Sequence, residues 1–238
     1  LSTDTLSFIK SKRMSDEDLA KKREGTFFTG IPDFSSDPIR GFGFGIRSNV
    51  YWNGKKTNPL FAYTPYLAKL KVNAAYYTSN ARELALSLDI PYYKGTRWRF
   101  KVDFKAQQNP ANLYFGLTES TLGPLRLPST PNGGPTYSTF SEYDNARKTL
   151  RIGEPGEEEL VTDALSNRFR ETEYMLNVKA DYALGKGKWR IMGGYEIQHL
   201  SYKTFEGVEA EAINPITSAK TTAPNGFSLL QRDNAENS

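Results

Sequence analysis

The sequence predicts an all-β fold: a partial, antiparallel up-and-down transmembrane β-barrel of about seven or eight strands, with long extracellular loops and a short N-terminal helix. Three observations carry that expectation. Most of the predicted strands reach about 10 residues or more and alternate apolar and polar side chains, as in a strand with one face in lipid and the other in water. Connections alternate between short and long. Bulky aromatics sit at strand ends, where they can form interfacial girdles.

Composition narrows the function classes. The 238 residues include no Cys and one His, which removes disulfide frameworks and thiolate metal sites; no cofactor-binding motif is present. The net charge is +4, and the bases are interspersed with acids, so no nucleic-acid footprint is indicated. The 14 Tyr, 14 Phe and 3 Trp make the chain rich in aromatics. No apolar run approaches the roughly 20 residues of a spanning helix. Residues 1–13 lack the pattern of a signal peptide, and the chain begins with Leu, which reads as a processed piece of something longer.

Taken in order, residues 1–13 read as unstructured. Ser15 is a helix N-cap with Asp18 three positions on; acids (Asp16, Glu17, Asp18) lead, bases (Lys21, Lys22, Arg23) follow, and Gly25 ends the helix. Residues 26–40, with Pro32, Asp33, Ser35, Ser36 and Pro38, read as loop. Residues 40–53 are the first long strand, with Gly43 and Gly45 on its polar side. Residues 67–118 read as four strands, the third and fourth separated by a turn at 108–111. A long insertion at 119–170 precedes strands at 173–184 and 188–205; residues 206–227 are again loop, and either an eighth strand begins near 226–232 or the seven strands belong to the front part of a larger barrel. In domain terms, residues 1–39 form an N-terminal periplasmic segment and 40–238 the strands of the barrel, the front half of a larger one.

The alternation assigns two faces. Phe42, Phe44, Ile46, Leu70, Val72, Leu84, Leu86, Leu88, Phe100, Val102, Phe104, Leu176, Val178 and Ile191 are expected to meet lipid. Arg47, Lys69, Lys71, Glu83, Asp89, Arg97, Arg99, Lys101, Asp103, Lys179, Asp181 and Glu196 are expected to line an aqueous lumen, where a basic excess would favour anions. Trp52, Tyr66, Tyr92, Tyr93, Trp98 and Trp189 are the expected interface aromatics. Short turns at 79–82, 108–111 and 185–187 fall at one end, taken as periplasmic, and the long links at the other; that puts residues 91–93 at the outer surface.

Particular residues also resemble a known family. Arg40-Gly41-Phe42-Gly43-Phe44-Gly45, the strand end Tyr51-Trp52-Asn53-Gly54 and Tyr63-Thr64-Pro65-Tyr66 resemble the first hairpin of the BamA/TamA outer-membrane barrel superfamily, the bacterial surface antigen family. Asp89-Ile90-Pro91-Tyr92-Tyr93 and Asn112-Leu113-Tyr114-Phe115-Gly116-Leu117 are similar to segments of the same barrels, although Thr118 stands where a further Gly often follows. The resemblance implies a barrel of about sixteen strands, of which this chain is the front half. It also implies a bacterial outer-membrane location and a role in inserting or secreting other proteins, often with POTRA domains in front. The expected partners are therefore outer-membrane lipid and other outer-membrane or secreted proteins. On the same resemblance, residues 40–53 form the seam strand, with Gly43 and Gly45 keeping its pairing weak. Neither a POTRA pattern nor the lid-loop signature of the second half is present.

Two alternatives stand beside it. One is a soluble lipocalin-like binding barrel with the faces reversed. The other is an outer-membrane lipid hydrolase using His199 and Ser201, two apart on one face of a strand, which resembles the His-x-Ser pair of outer-membrane lipases. Tyr202 follows where those enzymes have Asn, and no orienting partner is evident, so no enzyme is expected.

Overall fold

The computed structural model describes residues 3–116, 123–130, 134–152 and 160–236. It divides into two units, one of residues 1–108 and 172–200, the other of 109–171 and 201–238.

The first unit opens with a 3-10 helix over Thr3–Lys12 and helix α1 over Asp16–Lys21. Ser15 caps α1 by accepting the Asp18 N–H, as its position before an acidic first turn predicts. The stretch read as unstructured thus holds a helix over residues 3–12, with Phe8 and Ile9 buried. A seven-stranded antiparallel sheet follows, with neighbours in the order β1-β2-β3-β4-β5-β8-β9. Its strands are β1 (Gly25–Asp37), β2 (Gly41–Gly54), β3 (Ala68–Tyr77), β4 (Arg82–Ile90), β5 (Trp98–Leu113), β8 (Arg168–Leu184) and β9 (Trp189–Thr204). The sheet is open, and β1 and β9 are its edges.

Seven is the expected count, reached differently. Residues 25–37, read as loop, are β1, paired with β2 along its length from Asp37↔Gly41 to Gly25↔Gly54. Pro32 is tolerated because β1 is an edge and the missing N–H can face outward. Gly30 is covered by the Phe28 ring, whose Cζ would lie 2.9 Å from an added Cβ. The turn expected at 108–111 is absent, because β5 runs through it. The last β4–β5 pair is Arg82↔Gln108, so Pro110 removes no bond to β4. The end of the expected fourth strand, Leu117 and Thr118, lies outside the described residues.

These changes undo two further expectations. Strand β2 is flanked by β1 and β3, so it is no seam. Gly43 and Gly45 serve close packing instead: an added Cβ would meet the Tyr77 ring at 2.5 Å, or the Ala74 carbonyl oxygen at 2.4 Å. The short turns also do not share one end. The 78–81 turn joins β3 to β4, whereas the 185–188 turn lies at the other end, with the 55–67 and 91–97 connections.

The second unit replaces much of the expected loop with structure. Helix α2 (Phe140–Lys148) carries a complete capping box between Thr139 and Glu142. Strand β6 (Arg151–Ile152) pairs with β7 (Leu160–Val161), and β10 (Glu209–Ile213) with β11 (Lys220–Pro224). Leu150, Ala212 and Ala223 form its small apolar core. The eighth strand expected near 226–232 is instead the start of helix α3 (Leu229–Glu236).

Candidate functional site: the polar face of the sheet

Register places the charged residues of the sheet in cross-strand rows. One row runs Tyr51, Lys69, Asp89, Lys101 across β2 to β5; the next runs Asn49, Lys71, Ser87, Asp103. Because side chains alternate, these rows share one face, while the intervening rows Val50, Leu70, Leu88, Val102 and Ser48, Val72, Leu86, Phe104 share the other.

The polar face is densely bonded. Asp89 takes two bonds from Arg99, Nε to Oδ1 at 2.7 Å and Nη2 to Oδ2 at 2.5 Å, and a third from the Tyr66 hydroxyl at 2.7 Å. Ser87 donates to Asp103 at 2.6 Å. Glu173 accepts from Lys105 and from Gln198, each at 2.8 Å. Asn177 donates to Glu196 at 2.5 Å, and Arg190 pairs with Asp181. Arg47 pairs with Asp33 at 2.7 Å, and Glu83 with Arg40 at 2.7 Å. Of the expected lumen residues, Asp89 and Arg99 bond each other, while Arg47, Glu83, Asp103, Asp181 and Glu196 bond neighbours outside that set. The signal that placed them on one face was the period-two alternation; Asp33 lay in a segment read as loop, Arg40 at the start of the first predicted strand was given no partner, and Tyr66 was expected in the interface girdle instead.

The two faces differ in burial, in the reverse of a soluble sheet. On the polar side of β8, Glu173, Asn177 and Asp181 are 6, 9 and 8% exposed. On the apolar side Phe28, Phe42, Phe44 and Ile191 are 61, 51, 51 and 64% exposed. Ile46, Leu176 and Val178 are likewise exposed, and Leu70, Val72, Leu84, Leu86, Leu88, Phe100, Val102 and Phe104 are half-buried between neighbouring strands. None of the expected lipid-facing residues is buried.

The expected interface aromatics split. Tyr93, Trp98 and Trp189 are exposed, and Trp98 stacks on Phe100 and leans on Tyr182 at 4.9 Å between ring centroids. Trp52 ends the apolar side of β2. Tyr66 and Tyr92 turn the other way. Burial and the bond to Asp89 push the Tyr66 phenol up to about 12. Tyr92 is buried, receives bonds from Lys12 and Arg190, and holds the Phe8 ring edge-on at 5.6 Å.

That last contact anchors the N-terminal segment across one end of the polar face. Phe8 and Ile9 pack with Leu60, Tyr92 and Ala183, and the Arg97 guanidinium lies 4.6 Å from the Phe8 ring centre. Arg97 also donates to the Ala183 and Gly185 carbonyls. Farther along, Lys22 donates to the Phe61 and Thr64 carbonyls at 2.5 and 2.6 Å, its pKa lowered by burial.

Between the rows lies a cavity of about 450 Å³, lined by Tyr66, Lys69, Lys71, Ser87, Asp89, Lys101, Asp103, Lys179 and Met192. His199 and Ser201 are both exposed on β9, and neither side chain makes a hydrogen bond among the described residues. No group of His, Cys, Asp and Glu that could hold a metal occurs among the described residues.

A family described as Domain of unknown function (DUF5982) matches residues 4–67. The match ends with the loop on which the N-terminal helices pack: Leu67 joins the Phe8 cluster and donates its N–H to Trp52. No curated protein matches the chain, and no solved structure matches it.

Proposed function

We propose that the chain is part of an integral outer-membrane β-barrel protein that resembles the bacterial surface antigen superfamily, with a non-enzymatic role in inserting or translocating other proteins. The observation that carries the membrane reading is the inverted sheet: apolar side chains exposed along one face, charged side chains bonded and half-buried on the other. Lipid would cover the first face, and the second would look into a lumen. The role in insertion rests on the resemblance of residues 40–66 and 89–93 alone.

On this reading the N-terminal segment lies in the periplasm. It packs on the 55–67 and 91–97 connections, so Tyr92 and Tyr93 belong to the periplasmic end. That reverses the orientation that loop lengths suggest.

The test is reconstitution. The chain should partition into detergent-solubilised outer membrane and migrate differently on gels when unheated. A chain that stays folded and monomeric in buffer without detergent overturns the membrane assignment. Depletion that leaves the levels of other barrel proteins unchanged overturns the role in insertion.

A further inference from the structure

The acids of the polar face are largely committed, and the lysines of the cavity are not. Asp89 sits between Lys69 and Lys101 in its row, yet its oxygens are taken by Arg99 and Tyr66. Asp103 already accepts the Ser87 hydroxyl. Among the described residues Lys69, Lys71, Lys101 and Lys179 form no ion pair with a carboxylate. Four ammonium groups thus line one concave space with two carboxylates, one of them neutralised by Arg99.

Two features hold this arrangement in place. The Lys69 ammonium lies 5.2 Å from the Tyr51 ring centre, a cation–π contact that holds the charge at the wall of the cavity without neutralising it. Lys179 runs over Gly194, where an added Cβ would come within 2.9 Å of its Cγ; the glycine leaves room for the side chain to cross. The first contact places the Lys69 charge, and the second fixes the Lys179 stem and leaves its ammonium group to the cavity.

We propose that this cavity is a binding site for a soluble, multivalent phosphate-type anion. Its volume suits a small ligand, and small-ligand sites of this size are common. Lysines act as point charges and suit a phosphate's distributed oxygens, whereas planar carboxylates favour bidentate guanidinium. Arg99, the guanidinium beside the cavity, is fully engaged with Asp89. The Ser87 hydroxyl is a nearby polar group that can turn toward a ligand. The ligand is a soluble one because the site lies on the face opposite the exposed apolar residues. The inference rests on the polar face and not on the membrane reading.

The test titrates the purified full chain in detergent micelles with tripolyphosphate, by calorimetry at low and high salt, with citrate as the carboxylate comparator. Tripolyphosphate should bind more tightly than citrate, and salt should weaken it. The double variant Lys71→Gln/Lys101→Gln should weaken binding by about tenfold or more, and Lys71→Arg/Lys101→Arg should retain it. Asp103→Asn removes a repelling charge and should tighten binding, an outcome that misfolding cannot imitate. Undetectable tripolyphosphate binding, citrate bound as tightly as tripolyphosphate, an unaffected double glutamine variant, or no gain in Asp103→Asn would each overturn the site. Detergent partition of the same samples reports on the membrane reading separately.

Discussion

The two units solve the burial of polar groups in different ways. In the first, charged side chains line one face of a sheet as cross-strand pairs, and the apolar face is left exposed. In the second, a compact polar knot lies inside an otherwise ordinary fold. Arg147 is 1% exposed; it pairs with Asp144 and donates to the Ala164 carbonyl at 2.8 Å and Asn167 at 2.9 Å. Asn167 donates to the Tyr143 hydroxyl, and Asp163 accepts from Ser129 and pairs with Arg151. The first pattern suits a solvent boundary that is apolar on one side. The second draws specificity from a buried network centred on Arg147 and Asn167.

Arg147→Ala should break the second region most severely. It leaves the buried Asn167 side-chain oxygen without its donor and Asp144 with Lys148 alone; loss of one partner of a fully buried pair costs about 3–5 kcal/mol, and the Lys148 contact keeps the effect toward the lower end. Hydrogen exchange should show α2 opening while β2 to β5 keep their protection. In the first region, Ile9→Ala should cost about 2–5 kcal/mol locally, read as protease cleavage between Lys12 and Arg23 without loss of the sheet. On the apolar face, Leu86→Arg should cost about 2–4 kcal/mol in vesicles if that face meets lipid near the bilayer midplane. The same substitution measured in water should be nearly neutral if the face is solvated, and that result would sink the comparison.

Titration sharpens the contrast more gently. Burial pushes the Tyr143 phenol up to about 12 from its ordinary value near 10. A folded-state pKa above the unfolded one means that the stability it represents is full below pH 10 and lost as pH rises toward 12. Phenolate absorbance should therefore show a late-titrating group of tyrosines, Tyr66, Tyr114 and Tyr143, released with unfolding. Asp144 behaves oppositely: Lys148 and Arg147 hold its carboxyl below the usual carboxylate range despite its burial, so its contribution is present above that range and fades in acid. The smallest expected effect is on β9, where Ser201→Ala should leave any lipid hydrolysis by the preparation unchanged; a loss would revive the enzyme alternative.

Strands β2, β3 and β4 were legible because their alternation is uninterrupted, and with them Lys69, Lys71 and Asp89 of the cavity. Strand β1 was not, since Gly30, Pro32 and Ser35-Ser36 break the pattern and an edge position excuses them. Pro110 hid the continuity of β5 for a related reason, lying past the last residue that pairs with β4. The burial of Phe8 and Ile9 left little trace, because two apolar residues among polar ones carry no period. Tyr92 was read from its place at a strand end, but the inward turn follows from left-handed backbone at Tyr92 and Lys94, which residue type does not announce.

The open sheet also carries a rule of parity. Each connection in an up-and-down sheet reverses the chain, so an odd number of strands leaves β1 and β9 pointing the same way. Joined directly, they would make a parallel pair in an otherwise antiparallel ring. An all-antiparallel ring therefore needs an odd number of additional strands, whatever supplies them, and an even number would leave one mismatched seam.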